Sequence, residues 1–256
     1  MLTRRIEALV PLAAALALAG CGSSHAPARH RGVSGSRRSR HAPARVSVVR
    51  TTLGHSVRGR AIEAVHIDSA GARRAVLVVG CVHGNEPAGI AIARRLDRER
   101  RPGLDLWVID DLNPDGVAAD TRQNADRVDL NRNFPEHWRP IGHPGDQQYS
   151  GPHALSEPES RIADALIERV RPAVSIWFHQ PLDVVDESGG DPGVERRFAA
   201  LSGLPLRRLT RYPGSAVGWQ DQTLPGTTAF VVELPGGRLT HGEIDRYARA
   251  VVALAG

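Results

Sequence analysis

Short apolar runs at 61–67, 75–80, 104–109, 173–178 and 228–234 are each bounded by glycine, proline or aspartate. Their length and their content of valine and isoleucine predict strands buried on both faces. Between them the apolar positions take up a helical period over 88–99, 157–169, 193–201 and 241–254. Two of these segments carry start signals: Ser156-Glu157-Pro158-Glu159 reads as a capping box, and so does Thr240 with Glu243. Strands alternating with helices predict an α/β sandwich with a mostly parallel sheet. In such sheets, sites gather beyond the carboxyl ends of the strands.

The first 45 residues break from this pattern. Arg4 and Arg5 precede an apolar run from Ala8 to Ala19, which leads into Leu18-Ala19-Gly20-Cys21. The run is too short to span a membrane, which takes ~20 apolar residues, and reads as an export signal. The small residues before Cys21 resemble a bacterial lipobox, so residues 1–21 are expected to be a lipoprotein-type signal with Cys21 as the lipidated cysteine. An exported, membrane-anchored lipoprotein is the localisation this implies. Residues 22–45 contain no acid and repeat His-Ala-Pro-Ala-Arg at 25–29 and 41–45. That composition predicts a disordered tether. The remaining 46–256 suffice for one domain with a sizeable core.

Charge follows the same division. Residues 1–45 hold eight arginines and one acid, whereas 46–256 hold 25 arginines and 27 acids. The basic character therefore belongs to the leader and tether, and nucleic acid is not expected as a partner of an exported chain. Once Cys21 is lipidated only Cys81 remains, which excludes an intramolecular disulfide.

Within the domain, His83 and Glu86 stand three residues apart where the strand over 75–80 gives way to a turn. Both are zinc-ligand types, and the spacing lets them converge on one ion. The segment 110–151 has little periodicity but contains Asn113-Pro114-Asp115-Gly116, Arg122 and Val128-Asp129-Leu130-Asn131-Arg132-Asn133-Phe134-Pro135. A long irregular stretch with anchors such as Phe134 and Trp138 predicts an ordered functional loop. Arg132 beside Asn131 offers donors for a carboxylate. His179 closes the strand over 173–178 and is placed as a third ligand, while Glu233 ends the last apolar strand, where a buried carboxylate without a partner is costly. Taken singly, each residue also fits an ordinary role: a turn ion pair for His83 and Glu86, a solvated arginine, a capped strand end for His179, a strand-end salt bridge for Glu233.

Taken together and in order, these motifs resemble the zinc carboxypeptidase family, the carboxypeptidase A-like metallopeptidases, over about residues 50–250. The resemblance implies a three-layer α/β/α sandwich with a mixed, mostly parallel sheet and one Zn2+ per chain, held by His83, Glu86 and His179. It implies Asp129 as the carboxylate that orients His83, Arg122 as the stabiliser of the tetrahedral oxyanion, and Asn131 and Arg132 as the pair that binds the substrate's terminal carboxylate. Glu233 becomes the general base acting on zinc-bound water. Tyr212 is the candidate for the family's loop tyrosine, though a loop or core tyrosine fits equally, and 214–219 are expected to line the side-chain pocket. His-Gly-Asn-Glu-Pro at 83–87, Val128 to Pro135, Gly-Pro-x-x-Leu-Ser-Glu-Pro-Glu at 151–159 and Glu-Leu-Pro at 233–235 are most similar to the bacterial murein-peptide amidases. These cut the γ-D-glutamyl–diaminopimelate bond of cell-wall peptides, so a muropeptide substrate is implied. The alternatives are an aspartoacylase- or succinylglutamate desuccinylase-like zinc deacylase, and an inactive wall-binding lipoprotein. The sequence leaves the oligomeric state open.

Overall fold

The computed structural model describes residues 45–256. The signal segment 1–21 with Cys21, and the tether over 22–45 apart from Arg45, lie outside the described residues.

Eight strands form one sheet: β1 (Val46–His55), β2 (Ala61–Ser69), β3 (Ala75–Val79), β4 (Asp105–Ile109), β5 (Val174–His179), β6 (Val184–Asp186), β7 (Leu206–Arg207) and β8 (Thr228–Glu233). Their order is β1-β2-β4-β3-β5-β8-β6-β7. The central pairs β4/β3, β3/β5 and β5/β8 are parallel, as is β6/β7, while β1/β2, β2/β4 and β6/β8 are antiparallel. Successive side chains of a strand point to opposite faces, and here both faces are covered. Val76 and Val78 of β3 pack with Ile92 and Leu96 of α1 (Ala88–Leu96), Phe198 of α4 (Pro192–Ser202) and Tyr247 of α6 (His241–Ala255). Leu77 and Val79 pack on the other side with Leu166 and Ile167 of α3 (Pro158–Val170) and Trp219 of α5 (Ala216–Thr223). The result is the expected three-layer sandwich.

Thr240 accepts from the Glu243 amide while the Glu243 side chain bonds back to the Thr240 amide, so the capping box of α6 is real. The one expected at Ser156 is not. Glu157 occupies the cap position of α3 with no side-chain cap bond, and Pro158 begins the helix. Glu159 is instead drawn inward and fully buried, accepting from the Val57 amide at 3.0 Å and Asn124 Nδ2 at 3.0 Å.

The segment 110–151 is less irregular than its composition suggests. Asn113 caps a short helix α2 (Pro114–Ala119), accepting from the Gly116 amide at 2.9 Å, and Leu130–Arg132 form a 3-10 turn capped by Asp129. Phe134 is fully buried and packs edge-on against Trp177 of β5, 6.0 Å between ring centroids.

Candidate metal centre and active site

Strands β3, β5 and β8 run parallel, so their carboxyl ends open on one edge of the sheet. β3 leads into the turn that carries His83 and Glu86, β5 ends at His179, and β8 ends at Glu233, in register with His179. Gly84 lets the turn lie against α2: a Cβ there would fall 1.9 Å from the carbonyl carbon of Gly116.

Three ligand atoms converge. Glu86 Oε2 lies 3.0 Å from His83 Nδ1 and 3.0 Å from His179 Nδ1, and the two nitrogens are 3.1 Å apart. His83 Nε2 faces Asp129 Oδ1 at 2.9 Å. An ionised carboxylate only accepts, so Nε2 carries the proton and Nδ1 presents a lone pair, the tautomer a metal ligand needs. Two imidazole nitrogens and a carboxylate oxygen form a donor set suited to zinc. Lone pairs brought this close are best satisfied by a shared cation, so the residues fit the metal. Burial would push the Glu86 carboxyl up, but the His179 and His83 imidazoles packed against it outweigh burial and hold it well below the usual carboxylate range. Asp129 is likewise held low: burial opposes ionisation, yet His83 and then Arg122 prevail.

Around this cluster is a cavity of about 430 Å³, lined also by Arg122, Asn131, Arg132, Tyr212 and Glu233. Arg122 donates through Nε to Asp129 Oδ2 at 2.9 Å and through an η nitrogen to Glu86 Oε1 at 3.1 Å, which fixes its guanidinium beside the three donors. Asn131 Oδ1 accepts from the Ala216 amide at 3.0 Å, leaving its amide N–H groups for the cavity. Arg132 is 6% exposed, donates to the Asn131 carbonyl at 2.7 Å, and has no partner for its buried Nε. Its guanidinium lies 4.3 Å from the centre of the Tyr212 ring, and Tyr212 is 40% exposed, so it is not a core residue. A buried guanidinium short of an acceptor is a place for a carboxylate. Gly214, at φ +76°, would with a Cβ strike the Arg132 carbonyl oxygen at 2.1 Å, so the chain passes directly over Arg132.

Glu233 is largely buried, and its Oε2 has no hydrogen-bond partner. Burial raises its pKa, opposed by the nearby His179. A carboxyl tuned upward beside a metal site holds a proton more readily than a free one, which suits it to take and return one.

Of the stretch 214–219 expected to line the side-chain pocket, Ser215 and Val217 do so. Trp219 is buried in the core beside Phe134 instead, because the helical turn of α5 alternates its faces. Asp186 and Arg211 also line the cavity but were not foreseen. Asp186 had a weak signal, an acid directly after the apolar Val184-Val185, whereas Arg211 had none.

This is the arrangement of a metal-dependent hydrolase. Residues 37–185 match the zinc carboxypeptidase family. A murein peptide amidase A from Vibrio campbellii is 31% identical over 221 residues, spanning 80% of this chain and 86% of the relative. Among solved structures, murein-tripeptide amidase MpaA from Escherichia coli O157 superposes with a TM-score of 0.63 at 26% identity, over 80% of this chain and 91% of that one. The carboxypeptidase A of Helicoverpa armigera shares the fold, with a TM-score of 0.70 at 18% identity, over 81% of this chain and 68% of its own. The chain belongs to the zinc carboxypeptidase family and is a metallopeptidase.

Proposed function

We propose that the protein is an exported zinc carboxypeptidase or amidase that hydrolyses the bond next to a free carboxylate in cell-wall peptides, at γ-D-glutamyl–diaminopimelate. The convergence of His83, Glu86 and His179 beside Glu233, which keeps a buried oxygen without a partner, carries this reading. The murein peptide amidases among its relatives support the substrate. Bound at the three donors, zinc supplies a Lewis acid and lowers the pKa of water to ~7.

The chain's own groups do the rest. Glu233 takes the proton of the attacking water and passes it to the leaving amine. Arg122, anchored by Asp129 and Glu86, donates to the oxygen that gains charge as the carbonyl becomes tetrahedral; one such donor is worth ~10²–10³ in rate. Arg132 and the Asn131 amide hold the terminal carboxylate, with Tyr212 stacked on Arg132. Asp129 keeps His83 in its ligand tautomer. Lipidation at Cys21 would hold the domain by its tether outside the cytoplasm, where wall peptides are found.

Digestion of L-Ala-γ-D-Glu-meso-diaminopimelate by the zinc-loaded protein, followed by mass spectrometry, tests this. Free diaminopimelate with L-Ala-D-Glu is expected. Release of an acyl group from N-acyl amino acids with the tripeptide left intact would make the protein a deacylase instead.

A further inference from the structure

The cavity holds more charge than the reaction uses. Once the zinc donors, Arg122, Arg132 and Glu233 have their roles, two charged lining groups remain: Asp186 and Arg211. Arg211 donates to Asp186 Oδ2 at 2.7 Å and to the Glu187 carbonyl, which leaves further N–H groups of its five-donor fork. Asp186 is 5% exposed and also accepts from the Leu209 amide at 2.9 Å.

Sheet register places the pair. β6 runs antiparallel to β8 with Val184 opposite Glu233 and Val185 opposite Val232. Side chains directly opposite share a face, and so do residues two apart. Asp186 therefore lies on the face of Glu233, two residues or ~7 Å along the strand from the Glu233 level, beside Val231. Val231, level with Asp186, and Val217 add hydrocarbon to the lining of the same cavity. A side chain running from Glu233 along this strand pair would reach an acid and a base set beside hydrocarbon. A pocket for a wholly apolar side chain would set that pair against hydrocarbon at a cost.

We propose that Asp186 and Arg211 determine side-chain specificity by binding a second amino-acid head group, an ammonium and a carboxylate on one carbon, at the end of the released residue's side chain. Arg211 meets the carboxylate and Asp186 the ammonium; the methylenes between the two head groups lie on Val217 and Val231. This deepens the wall-peptide reading and rests on it, since diaminopimelate is such a residue and lysine lacks the second carboxylate.

The test compares kcat/KM of the zinc-loaded full chain on L-Ala-γ-D-Glu-X, with X as meso-diaminopimelate or L-lysine. The wild-type protein is expected to prefer diaminopimelate by at least about tenfold, the worth of one charge-assisted hydrogen bond. In Arg211→Ala that preference should fall to within about threefold. A merely structural Asp186–Arg211 pair would instead lower both rates together and keep the ratio, which would overturn the proposal. Equal wild-type rates on the two peptides would overturn it as well, leaving the wall-peptide reading intact. Cleavage of neither peptide would sink both. Should Arg211→Ala fail to fold, inhibition of the wild type by free meso-diaminopimelate and free lysine decides: at least about tenfold tighter inhibition by the former is expected, and equal inhibition contradicts the inference.

Discussion

Glu233 ends an apolar strand, and the structure gives that position a reason: its buried Oε2 faces the cavity beside the three ligand atoms with no partner. Replacing its charge while keeping its shape separates base from scaffold. Glu233→Gln should bind zinc at the wild-type stoichiometry yet lose at least ~10² in kcat, whereas His83→Ala should lose zinc and activity together; metal analysis beside turnover checks both. Asp221 is a half-buried acid of a different kind. Its Oδ1 accepts from the Ala229 amide at 2.7 Å, its Oδ2 has no partner, and burial pushes its pKa up to about 7. A carboxyl raised in the folded state gives stability that is full below the unfolded value and is lost as pH rises through about 7. Asp221→Asn, always neutral, should therefore be more stable than the wild type by at least about 1 kcal/mol at pH 8. Denaturation across pH should show that advantage growing from about pH 4 to 7 and flat above it; an advantage that shrinks as pH rises would contradict the burial cause.

At the scale of elements, the turn after β3 depends on its close approach to α2. Gly84→Ala would drive a Cβ into the Gly116 backbone, so it should cost about 1–3 kcal/mol and weaken zinc binding by moving His83 and Glu86. Thermal unfolding and zinc affinity, measured on the same variant, check this. Much of this architecture was legible in the chain: β2, β3, β4, β5 and β8 are buried runs, and periodicity finds such runs. The edge was not. β1 is largely exposed along its length, so Val46–His55 carries no burial period. β6 and β7 are three and two residues long, too short to show any period. α5 mixes Gly218, Gln220 and Asp221 with Val217 and Trp219 and lacks a clean apolar stripe. Of the site, the residues with metal or acid chemistry at strand ends could be found from the chain. Asp186 and Arg211 could not be joined, because only the β6–β8 register and the loop at 208–212 bring them together.

On the scale of the whole molecule, the charge division matters most. Residues 46–256 carry slightly more acids than arginines, and the excess of arginine lies in residues 1–45. Export with lipid anchoring at Cys21 predicts that Cys21→Ser shifts the protein from the detergent phase to the aqueous phase and removes a lipid mass from its N-terminus; an unmodified, soluble wild type would contradict the anchor. One zinc, held by His83, Glu86 and His179, is proposed to make this cavity a hydrolase. Titrating zinc into chelator-stripped protein while following tripeptide hydrolysis tests it most directly. The rate should rise from near zero in proportion to added zinc and level off at one equivalent per chain. A rate indifferent to zinc, or one that levels off only at two equivalents, would contradict it.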